Sequence, residues 1–270
     1  MSRPSRLVLV GHPVSHSLSP AIQNAALRAA GISLDYTALD VAPPQLRATL
    51  RTLRAERAAG NITIPFKQAV FSICDHVTNL AERAGAVNTF WVQDGALIGD
   101  NTDVAGFDFA AHELLESAHA EVPRRVALLG AGGAAAAVAA AIRDWDGAEL
   151  IIWSRKPAQA EALAHRYALT HAEPDLLTAV KGAELVINAT PIGMRDDYEM
   201  PVPIAALGRR CAVLDLVYKK GETAWVRAAR DAGLPASDGL PMLVEQAARS
   251  FRRWLGVEPN REVMWGALTS

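Results

Sequence analysis

Cysteine is scarce in this chain: Cys74 and Cys211 are the only two in 270 residues. They lie far apart without metal-ligand spacing, and both are expected as small core residues of a cytosolic protein. The seven histidines form neither an HxxxH pair nor a Cys/His cluster, so no metal is expected. A block of basic residues is also missing. Lys and Arg are scattered apart from doublets such as Arg124-Arg125, Arg209-Arg210 and Arg252-Arg253, and the formal net charge is −2. That argues against nucleic acid as the main partner. No apolar run approaches the roughly eighteen residues of a membrane span. The apolar part of residues 1–10 is too short for a secretory signal and runs straight into a strand. Internal repeats are absent, and the one biased segment is the alanine-rich stretch at 134–141.

What is present is apolar mass, half of all residues, enough for one large domain or two modest ones. The most informative stretch is Arg125-Val-Ala-Leu-Leu-Gly-Ala-Gly-Gly-Ala134. Val126 to Leu129 reads as a buried strand, Gly130, Ala131, Gly132 and Gly133 as a turn, and the segment from Ala134 to Ile142 as a helix. Strand, glycine turn and helix together let backbone N–H groups and a helix N-terminus approach a pyrophosphate. Ala135 replaces the third glycine of the usual spacing. The next apolar run, Glu149 to Trp153, ends in Ser154-Arg155-Lys156, where a basic residue accommodates the 2′-phosphate of NADP and an acidic one would select NAD. NADP is therefore the expected cofactor.

Taken in order, the chain alternates β and α. Arg6–Gly11 reads as a strand, and the loop after it leads to a helix from Pro20 to about Ala30, with Ser19 as its natural N-cap. Asp35–Val41 is a second strand. An Arg-rich amphipathic helix opens at Pro43-Pro44 and is expected to end near Ala59-Gly60, followed by a third strand over Asn61–Ile64. Short helices over Gln68–Ile73 and Thr78–Ala84 precede a hairpin around Asp94-Gly95 and a helix over Val104–Ser117, which Asp103 is placed to cap. Beyond the glycine turn, strands are expected near 185–188 and 212–216, with a short one near 168–171. Helices follow over Glu222–Ala232 and Pro241–Leu255, and a shorter one closes the chain. This is an α/β protein.

With these segments placed, the chain resembles the shikimate dehydrogenases over nearly its full length. Seven short signatures occur in that family's order: Ser15-His-Ser-Leu-Ser-Pro20, Asn61-Ile-Thr-Ile-Pro-Phe-Lys67, Gly85-Ala-Val-Asn-Thr89, Gly99-Asp-Asn-Thr-Asp103, the glycine turn, Ile187-Asn-Ala-Thr-Pro-Ile-Gly-Met194 and Met242-Leu-Val-Glu-Gln246. The resemblance implies two α/β domains flanking a cleft. Residues 1–103 with 240–270 would form the substrate domain, and 104–239 the Rossmann-like NADP domain. It implies Lys67 and Asp103 as the pair that handles the proton on the substrate oxygen, and Ser17 and Ser19 as hydroxyl ligands of a substrate carboxylate. Thr63, Asn88, Tyr218 and Gln246 would meet ring hydroxyls or lie near them. Thr190, Leu216, Gly239 and Met242 would join the glycine turn and the Ser154-Arg155-Lys156 cluster around NADP. The implied enzyme is cytoplasmic, a monomer or homodimer, and reduces 3-dehydroshikimate to shikimate in aromatic amino-acid biosynthesis.

Five residues depart from the common family pattern. Gln23 stands for a usual histidine, Ser154 and Lys156 for asparagine and threonine around the arginine, Gln159 for an often basic residue, and Lys220 for a proline. Two alternatives stay open on the sequence: a quinate or aminoshikimate dehydrogenase paralogue, with NAD or NADP, and a catalytically silent NADP-binding regulator.

Overall fold

The structure, a computed structural model, describes residues 3–167, 170–195, 199–219 and 221–268. Lys220, and residues 168 and 169 of the short strand expected at 168–171, lie outside them. Two compact units result, one made of the chain up to Gly106 together with residues from Leu243 on, the other of Phe107–Met242.

The first unit opens with β1 (Leu7–Gly11), α1 (Ser19–Ala29), β2 (Tyr36–Asp40), α2 (Leu46–Ala55) and β3 (Ala59–Ile62). Every residue of β1 is buried, as a strand paired on both sides needs to be; β2 and β3 flank it in parallel. The chain continues through α3 (Lys67–Phe71), β4 (His76–Val77), α4 (Asn79–Ala84), β5 (Thr89–Gln93) and β6 (Ala96–Asp100). The sheet order is β2-β1-β3-β5-β6-β4, with β5 antiparallel to both β3 and β6.

Two expectations are corrected here. The helix expected to run to Ala59-Gly60 stops at Ala55, because its buried stripe Leu46, Leu50, Leu53 ends there and Arg57 turns the chain with φ 55°. Ala59 and Gly60 instead open β3, where a Cβ on Gly60 would overlap the Val8 carbonyl of β1. Ser19 is not an N-cap. Leu18 before it already has helical angles (φ −82°, ψ −9°), so Ser19 falls in the first turn, whereas a cap needs extended backbone.

The boundary between the units falls within α5 (Asp103–Ser117). The second unit then runs through β7 (Arg125–Leu129), α6 (Gly133–Ile142), β8 (Glu149–Trp153), α7 (Pro157–Ala164), β9 (Thr170–Ala172) and α8 (Leu176–Val180). It continues with β10 (Leu185–Asn188), β11 (Ala212–Asp215), α9 (Ala224–Asp231) and β12 (Ala236–Ser237). All of its strand pairs are parallel, in the order β12-β11-β10-β7-β8-β9. Strand order reverses between β7 and β10, the switch point at which open α/β sheets bind ligands beyond their carboxyl ends. Ala135 to Ile142 of α6 are all buried.

Two helices close the chain, α10 (Leu240–Leu255) and α11 (Arg261–Gly266). Within the first unit, Phe251 and Trp254 of α10 are buried, Trp254 stacks on Tyr36 at 6.0 Å between ring centres, and α11 lies against α1. Cys211 is buried and Cys74 half-buried, and desolvation pushes both thiols up to about 12, against formation of the thiolate. Among the described residues no helix is long and apolar enough to cross a membrane.

Candidate active site

Lys67 is the first residue of α3, directly after the turn that closes β3. Phe66 and Val70 are buried on either side of it, and the Lys67 carbonyl accepts from the Val87 N–H at 2.9 Å, so its backbone is fixed. The ammonium Nζ lies 2.6 Å from Asp103 Oδ2, with the two side chains only 15% and 5% exposed. A buried ion pair is tolerated when further hydrogen bonds satisfy its remaining groups, and the Asp103 carboxylate has such a bond on its other oxygen. Asp103 Oδ1 accepts from Asn88 Nδ2 at 2.8 Å. The same amide nitrogen lies 2.9 Å from Thr102 Oγ1 and 3.2 Å from Gln246 Oε1, while Asn88 Oδ1 accepts from the Thr102 N–H at 2.7 Å. Gln246 Nε2 donates to the Leu243 carbonyl at 2.9 Å.

Asp103 does not cap α5. The helix includes it, and Asn101 Oδ1 accepts from the Val104 N–H at 3.2 Å, which frees the Asp103 carboxylate to face Lys67.

Lys67, Asp103, Asn88 and Gln246 therefore form one polar cluster with little exposed surface. Thr63, half-buried, sits four residues before Lys67; a Cβ on Gly11 would overlap its methyl group, so the loop carrying the serines passes against it. Ser17 is half-buried and Ser19 buried, with Ser17 Oγ 3.3 Å from the Ser19 N–H. Gln23 of α1, the helix that Ser19 opens, donates to the Ala247 carbonyl at 3.0 Å, next to Gln246.

The network reaches further: Asn61 Nδ2 donates to the Asn88 carbonyl at 3.1 Å and to Ser250 Oγ at 2.9 Å, Ser250 Oγ lies 3.0 Å from Thr102 Oγ1, and Asp100 Oδ1 accepts from the Asn101 N–H at 2.8 Å. Several of these residues were not singled out in the sequence. Asn61 and Thr102 lie inside quoted signatures, so a signal existed. Asp100 lies in the same Gly99–Asp103 signature as Thr102, whereas Ser250 carries no local signal at all.

The second unit holds the glycine turn. Gly130 has φ 118°, and a Cβ there would come 2.8 Å from the Ala189 carbonyl that follows β10, so glycine is required. Ala131 is half-buried. Gly132 is extended and faces open space; beyond it Gly133 and Ala134 open α6, whose first turn has no acidic residue and no side-chain cap. Its leading N–H groups thus suit an anion. Past β8, the Ser154 hydroxyl accepts from the Lys156 N–H at 3.2 Å, and Arg155 and Lys156 are exposed. Thr190 is tied to Asn188, which accepts from its N–H at 3.0 Å and its hydroxyl at 2.6 Å. The Asn188 carbonyl accepts from the Leu216 N–H at 2.9 Å, and a Cβ on Gly239 would overlap the Leu216 carbonyl. Met242 is buried and Tyr218 half-buried. Asp215, buried beneath these loops, accepts from Asn188 Nδ2 at 2.8 Å, Thr223 Oγ1 at 2.8 Å and the Val217 N–H at 3.1 Å. Burial outweighs these bonds and pushes its pKa up to about 6.

Comparison with known proteins fits this geometry. The shikimate dehydrogenase (NADP(+)) of Rubrobacter xylanophilus is 43% identical over 271 residues, covering 97% of this chain and 94% of the relative. The chain belongs to the shikimate dehydrogenase family. Residues 9–90 match the family's substrate binding domain and residues 239–269 its C-terminal domain. Among solved structures, the Thermus thermophilus family member in complex with NADP(H) and shikimate has a TM-score of 0.85 at 38% identity, covering 98% of both chains. Quinate dehydrogenase from Corynebacterium glutamicum in complex with NAD reaches a TM-score of 0.85 at 30% identity, over 97% of this chain and 98% of that one.

Proposed function

We propose that this protein is an NADP-dependent shikimate dehydrogenase that interconverts 3-dehydroshikimate and shikimate for aromatic amino-acid biosynthesis in the cytoplasm. The observation that carries the reading is the Lys67–Asp103 pair at 2.6 Å, braced by Asn88, in a chain of this family. The first unit binds the substrate and the second binds the cofactor. Gly130 to Ala134 would hold the pyrophosphate at the α6 N-terminus, Arg155 and Lys156 the 2′-phosphate, and Thr190, Leu216, Gly239, Met242 and Tyr218 the nicotinamide end.

NADPH, when bound, supplies the hydride for the carbonyl carbon. The protein supplies the rest. Lys67 Nζ gives its proton to the carbonyl oxygen as the alcohol forms, and in the reverse direction takes the hydroxyl proton. Asp103 accepts from the same nitrogen and fixes its direction. Ser17 and Ser19 donate to the substrate carboxylate, and Thr63, Asn88 and Gln246 pair with the ring hydroxyls, both donating and accepting.

Initial rates with shikimate and quinate, each with NADP+ and NAD+, test the reading. The expected result is the highest kcat/KM for shikimate with NADP+. The similarity to the Corynebacterium enzyme favours a second reading, a quinate dehydrogenase using NAD, and a large preference for that pair would replace the first. Arg155 opposes it. Tight NADPH binding without turnover of any of these polyols would point to a silent regulator.

A further inference from the structure

Two side chains of α10 hold the loop that leads to Asp103. Ser250 is fully buried; its Oγ lies 3.0 Å from Thr102 Oγ1 and accepts from Asn61 Nδ2 at 2.9 Å. Asn61 in turn accepts from the Tyr36 hydroxyl at 2.8 Å. Three residues further along the same helix face, Arg253 donates to Asp100 Oδ2 at 2.7 Å while its guanidinium lies 5.4 Å from the centre of the Trp91 ring. Asp100 is 2% exposed, and its other oxygen accepts from Thr78 Oγ1 and from the Asn101 N–H. The loop that ends in Asp103 is thus held residue by residue. Arg253 holds Asp100, the Ala86 carbonyl holds the Asn101 side chain, and Asn88 and Ser250 hold Thr102.

We infer that Ser250 and Arg253 are positioning residues for proton transfer: α10 pins the loop 100–102 from behind at two points and so sets where Asp103 holds Lys67 Nζ. The inference rests on the functional reading above. It follows from two physical facts. A buried carboxylate that loses its cation is left uncompensated, so the Asp100 segment shifts when Arg253 is removed. Displacing a catalytic group by about 1 Å costs as much as about 10²-fold in rate.

The test compares wild type, Ser250→Ala, Arg253→Ala and Arg253→Lys on shikimate with NADP+. Arg252→Ala serves as control, since Arg252 is exposed and pairs with Glu258. Each alanine variant at 250 and 253 is expected to lose about tenfold in kcat with KM for NADP+ unchanged. Arg253→Lys should recover most of the loss, and Arg252→Ala should match wild type. The decisive arm repeats Arg253→Ala in an Asp103→Asn background, where a residue acting through Asp103 costs nothing further. An undiminished kcat in both alanine variants, or a loss that multiplies fully in the Asp103→Asn background, overturns the inference. Thermal unfolding monitors folding; if Arg253→Ala does not fold, Ser250→Ala carries the same cycle. Wild type that turns over neither shikimate nor quinate would defeat the functional reading and this inference with it, whereas active wild type with unaffected variants defeats the inference alone.

Discussion

Arg155 stands exposed just past the end of β8, beside a serine whose hydroxyl is occupied by the Lys156 N–H. A guanidinium in that place has a phosphate as its natural partner, by bidentate charge-assisted bonds. Arg155→Ala is expected to raise KM for NADP+ by about tenfold or more, the equivalent of one such bond, while KM for NAD+ stays nearly unchanged. Steady-state titration of both cofactors measures it. Residues of this kind were legible in the sequence because their signal is local. Lys67 closes a short signature, Arg155 follows a strand end, and Gly130 sits where only a positive φ fits. Ser19 and Asp103 have the chemistry of caps yet fall inside their helices, because where a helix starts is set by backbone angles that composition does not reveal. Ser250 was illegible for a different reason. A serine in mid-helix has no meaning until the fold brings Thr102 and Asn61 to it.

At the scale of elements, the ends of β10 and β11 are joined through Asp215, which holds Asn188, the Val217 N–H and Thr223, the N-cap of α9. Its pKa is pushed by burial from the ordinary 3.8 up to about 6. An acid raised in this way makes the native state bind more protons than the unfolded chain. Its stabilising contribution is complete below about 3.8 and is lost as the pH rises through about 6. Asp238, also raised by burial, acts in the same direction. Asp215→Asn mimics the protonated acid, so its stability relative to wild type should grow between pH 4 and pH 7 by on the order of 2–3 kcal/mol. Urea midpoints across that range are the measurement, and a pH-independent difference would contradict the assignment. Strands and helices of ordinary length were readable from apolar runs and periodicity. The two-residue strands β4 and β12 were not, since so short a run carries no alternation. The end of α2 was overextended because Ala59 and Gly60 carry no strand signal of their own; their burial against β1 decides their conformation.

At the scale of the molecule, the first unit is completed by residues far away in sequence, from Leu243 on. An amphipathic helix near the C-terminus was visible in the residue pattern, but where it packs was not, because any apolar face would satisfy the same periodicity. The structure shows Trp254 inserted between Tyr36, on which it stacks, and Thr89, to which its indole N–H donates at 3.0 Å. Trp254→Ala should therefore destabilise the protein by about 3–5 kcal/mol, measured by denaturant unfolding; a cost below about 1 kcal/mol would mean that α10 is peripheral to that core.

The account as a whole turns on the proton at Lys67. The most direct test is Lys67→Ala, assayed for shikimate oxidation and titrated with NADPH by fluorescence. Loss of kcat by about 10²–10⁴-fold with NADPH affinity retained is the predicted result, and full turnover in the variant would contradict it.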